Sequence, residues 1–221
     1  MPLRLLCLHG WGTNEQILRT QIGPLMRNLQ KDNTAEFHFL EGEIESVPGP
    51  GIDGYYEGPF YSYYKFPRSF TDDEESMLEA YQLLYEIVEE EGPFDGVLGF
   101  SQGGTLASGF LIHHAKTRPR ERPPFRCAIF LNSLPPFRMN PGEDPVVDEG
   151  LEGYLKIPSV TVAGSADFAF KYSIALHNLC ETGKSTLIVH DKGHDVPRDE
   201  KNVSQMAMAI RKLAMEVLHV W

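Results

Sequence analysis

Phe94-Asp95-Gly96-Val97-Leu98-Gly99-Phe100-Ser101-Gln102-Gly103-Gly104 is the stretch whose reading decides the fold. Gly96-Val97-Leu98 is an apolar run of the kind that forms a strand buried on both faces, and Gln102 to His114 reads as a helix. Between them lies a G-x-S-x-G pentapeptide, Gly99 to Gly103. A chain with 20 glycines produces such a match by chance about once in ten, so the flanking elements carry the inference. A strand that turns sharply into a helix needs small residues two before and two after the serine. It then presents Ser101 at the sheet edge, against a helix N-terminus, which is where a nucleophilic hydroxyl is wanted.

Working outward, short apolar runs alternate with helical patterns. The expected strands are 3–8, 36–40, 96–100, 126–131, 159–163 and 185–190. A helical segment from Asn14 to Leu29 is interrupted at Gly23-Pro24. Thr71-Asp72-Asp73-Glu74 reads as a capping box, followed by an apolar face of Leu78, Tyr81, Tyr85 and Val88 that stops at Gly92-Pro93. A last helix from about Lys201 has Val203, Met206, Ile210, Leu213 and Val217 on one side. This alternation predicts one α/β domain over residues 1–221, with a mostly parallel sheet of about six strands and helices on both faces.

Two stretches break the pattern. Residues 42–70 hold Pro48-Gly49-Pro50-Gly51 and then a dense aromatic group: Tyr55, Tyr56, Phe60, Tyr61, Tyr63, Tyr64, Phe66 and Phe70. Residues 134–156 are rich in proline and acidic side chains. Both follow strands whose C-terminal ends share the edge occupied by Ser101, where ligands bind in such sheets. We expect 42–70 to be a lid-like insertion covering an acyl group, with Tyr55, Tyr56, Phe60, Tyr61, Tyr63 and Tyr64 binding substrate. A plain hydrophobic cover for the sheet is the competing reading.

The chain of 221 residues is 42% hydrophobic and 23% charged, ordinary for a globular protein, with a net charge of −11. That charge, with no basic cluster beyond the loop-like run Lys116 to Arg122, argues against nucleic acid and anionic membranes as partners. Cys7, Cys127 and Cys180 are odd in number and lie in apolar surroundings, so buried thiols are expected, and no metal-ligand spacing occurs. Neither a signal peptide nor a membrane span is evident, so the expected location is cytoplasmic.

A serine needs a base and a group to orient that base. His194, in Gly193-His194-Asp195 just beyond the last strand, is the preferred base, and His190, within the strand, is the rival. His113 and His114 read as surface or helix-terminal residues. Asp167 follows the strand 159–163 and is the preferred orienting carboxylate over Asp191 and Asp195, which sit too close to the histidine in sequence for good geometry. Asp95 lies at the opposite end of its strand and reads as structural. For an oxyanion, donors are expected from Gln102 N–H and from the Gly-rich loop Leu8-His9-Gly10-Trp11-Gly12-Thr13, with Trp11 N–H first and Gly12 second.

The order Ser, Asp, His, each after its own strand, is that of α/β-hydrolases. Leu8-His9-Gly10-Trp11-Gly12-Thr13-Asn14, the Tyr/Pro-rich insertion, Phe94 to Gly104 and Gly193-His194-Asp195-Val196-Pro197 together resemble the fungal family of small serine hydrolases. That family includes stand-alone thioesterases that release polyketides from their synthases, as in lovastatin and citrinin pathways. The resemblance covers nearly the whole chain. It implies an α/β-hydrolase fold, a triad of Ser101, Asp167 and His194, no cofactor, and a small-molecule or carrier-protein-bound acyl substrate, with a polyketide synthase as a candidate partner. A general carboxylesterase and a non-catalytic binding module on the same scaffold are the alternatives.

Overall fold

The computed structural model of this chain describes residues 1–67, 73–138 and 146–219. The expected capping box at Thr71-Asp72 and the aromatic Phe70 lie outside those residues. Among the described residues, six strands form one sheet: β1 (Leu3–Leu8), β2 (Ala35–Leu40), β5 (Gly96–Phe100), β6 (Cys127–Leu131), β9 (Ser159–Gly164) and β10 (Ser185–His190). Their order across the sheet is β10-β9-β6-β5-β1-β2, and every neighbouring pair is parallel. Four central strands are buried along nearly their whole length. This explains why they read as unbroken apolar runs and not as alternating ones.

Helices cover both faces. On one lie α1 (Glu15–Gln21), α2 (Gly23–Gln30) and α6 (Glu200–His219); their Leu18, Leu25, Leu29, Met206 and Ile210 pack against Leu3, Leu5 and Cys7 of β1. The other face carries α3 (Asp73–Glu91), α4 (Gln102–Thr117) and α5 (Phe170–Leu179), whose Leu84, Phe110 and Leu176 pack with Leu6 and Leu8. Successive β1 side chains thus serve the two cores in turn. Each large apolar side chain fully removed from water contributes about 1.5–3 kcal/mol.

The break at Gly23-Pro24 is real. Asn14 caps α1 by accepting from Ile17 N–H at 2.8 Å, and Pro24 sits in the first turn of α2, where its missing N–H costs nothing. The α6 face is as expected, all five named residues being buried. On α3, Tyr81, Tyr85 and Val88 of the expected face pack against the core, and Leu78 does not. Met77, Ala80 and Leu84 form the buried stripe, and Leu78 is 47% exposed. A cavity runs beside α3 and takes the Leu78 side.

Two small antiparallel pairs were not anticipated. The first is β3 (Ile44–Glu45) with β4 (Tyr61–Ser62), inside the 42–70 insertion. The second is β7 (Phe137–Arg138) with β8 (Val146–Val147), inside the 134–156 stretch. The three cysteines are buried and free, and burial pushes the Cys127 thiol up to about 12 and the Cys180 thiol to about 11. No described helix is long and apolar enough to cross a membrane.

Candidate active site

The turn from β5 into α4 is as tight as the pentapeptide demands. A Cβ on Gly99 would lie 2.3 Å from Gly104 N, and one on Gly103 would lie 2.3 Å from Leu8 O, so neither position tolerates a side chain. Ser101 adopts φ 52°, ψ −116°, a left-handed conformation that costs a non-glycine residue of order 1–3 kcal/mol. Its N–H stays in the sheet ladder through Leu131 O at 2.9 Å. Although Ser101 occupies the cap position of α4, its hydroxyl makes no capping bond. It lies instead 2.9 Å from His194 Nε2.

The other ring nitrogen, His194 Nδ1, is 2.8 Å from Asp167 Oδ2. An ionised carboxylate only accepts, so Nδ1 carries the proton and donates to Asp167. Nε2 is left with a lone pair to accept from the Ser101 hydroxyl. The Asp167 side chain is fully buried, and its second oxygen accepts from Ala169 N–H at 2.8 Å. That bond fixes the carboxylate from behind. The imidazole lies between Phe100 and Phe168, with ring centroids 5.2 and 4.8 Å away.

The rival residues are placed elsewhere. His190 is buried, and its Nδ1 accepts from Lys192 N–H while Nε2 has no partner; burial holds its pKa below the usual histidine range. Asp95 is at the far end of the sheet, accepting from Arg4 N–H at 3.0 Å and pairing with Arg126 at 3.3 Å. His114 corrects the surface reading. It is helix-terminal as expected, in the last turn of α4, but it is buried, with Nδ1 3.1 Å from the Tyr85 hydroxyl of α3. His113 lines the cavity.

The oxyanion candidates separate cleanly. Gly12 N–H donates to Tyr61 O at 3.0 Å and is therefore committed. Among the described residues neither Trp11 N–H nor Gln102 N–H has a hydrogen-bond acceptor. Gly10 backs directly onto the elbow, a Cβ there falling 3.1 Å from the Phe100 ring and 3.6 Å from Ser101 Cβ.

The insertion grips this loop through its main chain. Tyr61 N–H donates to Thr13 O at 2.7 Å, Gly49 N–H to Gly12 O at 2.9 Å, and Asn14 Nδ2 to Pro59 O at 2.8 Å. The Tyr63 hydroxyl accepts from His9 N–H at 2.9 Å and donates to Leu40 O at 2.8 Å. Gln102 Nε2 donates to Ser62 Oγ at 2.8 Å, tying the same strand to the elbow. These bonds change the substrate-binding expectation. Tyr55, Tyr56 and Tyr64 line the cavity beside Ser101, whereas Phe60, Tyr61 and Tyr63 do not. Tyr63 is spent on holding the loop, and Tyr61 and Phe60 lend their backbone carbonyls to Gly12 and Ser46.

Sequence reasoning missed Asn132. It follows β6 directly, is buried, and has φ 45°. Its Nδ2 donates to Asp195 O at 2.8 Å and its Oδ1 accepts from Gly164 N–H at 3.0 Å, so it joins the histidine loop to the strand that leads to Asp167. The available signal was a polar Asn-Ser pair at the C-terminal edge of a wholly apolar strand. The cavity beside Ser101 has a volume of about 1450 Å³. No cluster of three metal-ligating side chains occurs among the described residues.

The chain is similar to known hydrolases and esterases. The chain is 42% identical over 228 residues to hydrolase phiM of Talaromyces stipitatus, covering 98% of this chain and 90% of that protein. It is 33% identical over 222 residues to esterase FPY3 of Fusarium mangiferae, covering 98% and 99%. Among solved structures, the Bacillus cereus carboxylesterase matches with a TM-score of 0.62 at 18% identity, over 96% of this chain and 89% of that one. Arabidopsis thaliana SOBER1 matches at 0.63 and 18%, over 96% and 99%. The fold is thus that of the α/β-hydrolases. The model of the family described as serine hydrolase (FSH1) matches residues 1–206, and this chain belongs to that family of enzymes.

Proposed function

We propose that this serine hydrolase cleaves acyl thioesters through an acyl-serine intermediate, with Ser101 as nucleophile, His194 as general base and acid, and Asp167 as the orienting carboxylate. His194 Nε2 takes the hydroxyl proton as Ser101 Oγ attacks the acyl carbonyl carbon. The carbonyl oxygen becomes an oxyanion between Trp11 N–H and Gln102 N–H. Collapse breaks the bond to the leaving group, which departs as a thiol with the proton from Nε2. Water, deprotonated in turn by His194, attacks the acyl-serine; the acid leaves and Ser101 regains its proton.

The observation that carries this reading is the unbroken relay from Ser101 Oγ through His194 to Asp167, at 2.9 and 2.8 Å. The large cavity favours an extended acyl group over a small ester, since pockets for drug-sized ligands measure about 300–1,000 Å³. The substrate proposed is a carrier-protein-bound chain delivered by a polyketide synthase, for which the cavity has room.

The test compares decanoyl-coenzyme A with p-nitrophenyl decanoate on wild-type protein and on Ser101→Ala. Wild-type protein is expected to turn over the thioester with the higher kcat/KM, and Ser101→Ala to lose activity by a factor on the order of 10⁶. Cleavage of the aryl ester alone would make the chain a general carboxylesterase. Failure of a fluorophosphonate to label Ser101 would leave only a binding module.

A further inference from the structure

Residues of α4 that face the cavity recur at helical spacing: Gln102, Thr105, Gly109, Ile112, His113 and Lys116. One face of the helix therefore borders the cavity from Ser101 to the last turn, a length of about 21 Å at 1.5 Å per residue. The opposite wall comes from α3, through Met77, Leu78 and Tyr81. Midway along, the Tyr81 phenol crosses the seam onto α4. A Cβ on Gly109 would lie 2.4 Å from the Tyr81 hydroxyl oxygen, so the phenol rests on bare backbone, and its ring stands 5.0 Å from that of His113. The cavity continues past this crossing to Ile112 and Lys116. Burial holds the His113 pKa below the usual range, which keeps its imidazole neutral against an apolar ligand.

The cavity's other arm differs. Near Tyr55, Tyr56, Asp195 and Arg198 it is polar and open: Tyr55 is 84% exposed, and Arg198 Nη2 donates to the Tyr56 hydroxyl at 3.4 Å. This suits a hydrated leaving group better than a hydrocarbon.

We propose that the acyl chain lies along α4, in the seam with α3, and that Tyr81 resting on Gly109 is a sill that sets the chain length accepted. The inference rests on Ser101 being the acyl acceptor. An extended chain advances about 1.25 Å per carbon, from C–C bonds of about 1.5 Å at tetrahedral angles. Gly109 is eight residues beyond Ser101, or about 12 Å. A chain of up to about eight carbons therefore stops short of the sill, and one of about 12 to 16 carbons must cross it. Each further methylene buried is expected to raise kcat/KM roughly fourfold. Removing the phenol lets long chains settle deeper, and a methyl on Gly109 lifts the phenol into their path.

The experiment measures kcat/KM for p-nitrophenyl esters from four to sixteen carbons, reading the ratio of the fourteen-carbon to the six-carbon ester. Tyr81→Ala is expected to raise that ratio at least tenfold, and Gly109→Ala to lower it at least tenfold. Tyr81→Phe, which keeps the ring on the glycine, should stay within threefold of wild type. Leu78→Trp, at a half-exposed position just before the sill, should lower the ratio and supplies a second blocking variant if Gly109→Ala does not fold. Fluorophosphonate labelling of Ser101 verifies that each variant is folded. Ratios unchanged within twofold in both Tyr81→Ala and the blocking variant would overturn the sill. Hydrolysis of the series by Ser101→Ala would instead overturn the acyl-serine reading itself, so the two failures are distinguishable.

Discussion

Replacing Asp167 by Asn tests the proton relay at its most informative atom. The side chain is fully buried and uses both oxygens: Oδ1 accepts from Ala169 N–H and Oδ2 from His194 Nδ1–H, each at 2.8 Å. Asparagine offers one oxygen and one NH₂. If the NH₂ faces Ala169, two donors meet, and a buried N–H without an acceptor costs about 1–3 kcal/mol. If the oxygen faces Ala169, the NH₂ faces His194 and donates to Nδ1. The imidazole proton then moves to Nε2, which can no longer accept from Ser101. The second arrangement keeps the acceptor of Ala169 N–H and gives one amide N–H a partner in Nδ1, whereas the first sets two donors against each other, so the second is the one expected to form. Its consequence is a fall in kcat of about 10⁴-fold, the scale seen when a triad histidine is held in the wrong tautomer. The melting temperature should change little. Asp167→Ala, by contrast, abandons Ala169 N–H and should cost about 1–3 kcal/mol in denaturant titration as well as activity. Steady-state ester hydrolysis and urea unfolding, run on the two variants side by side, give both numbers. Asp167→Asn retaining more than a tenth of wild-type kcat would show that Asp167 does not set the tautomer.

Two further outcomes follow from residues outside the relay. Asn132→Ala removes the bond to Asp195 O and the acceptor of Gly164 N–H, and is expected to lower stability by about 1–3 kcal/mol. It should also slow turnover as the histidine loop loosens; unchanged kcat and urea midpoint would count against a positioning role. Burial holds His190, His114, His113 and His177 below the ordinary histidine pKa of about 6.5. The unfolded chain therefore binds more protons just below that value, and stability, fully present above about pH 6.5, is lost as the pH falls from there toward the folded-state values. Urea titrations from pH 8 to 5 should show this decline, and His190→Gln should make it shallower; parallel curves for the two proteins would remove His190 from the account.

The six strands and the relay were legible because buried parallel strands need no polar alternation, and because each relay residue follows its own strand. Ser101, Asp167 and His194 are 27 to 93 residues apart in the chain, yet topology alone puts their loops on one edge. What stayed hidden was main-chain pairing. The bonds joining Gly12 and Thr13 to Tyr61 involve only backbone atoms, which no side-chain pattern reports. For the same reason the aromatic insertion read as six substrate-binding residues, although Tyr63 is a buried strut and Tyr61 a strand residue. On α3, Tyr81, Tyr85 and Val88 pack against the core as expected and Leu78 alone does not, because periodicity marks an apolar face without saying which of its residues meets a cavity. Asn132 escaped because one buried asparagine looks like any loop polar residue until its two partners are known.

The backbone grip of the insertion on the Trp11 loop has a use in enzyme engineering. Anchoring falls to Gly49, Pro59, Tyr61, Ser62 and Tyr63, while Asp53, Gly54, Tyr55 and Glu57 at the tip are exposed. The tip can therefore be randomised in a library, or grafted from a relative, to retool the cavity mouth while the anchors hold the Trp11 loop in place.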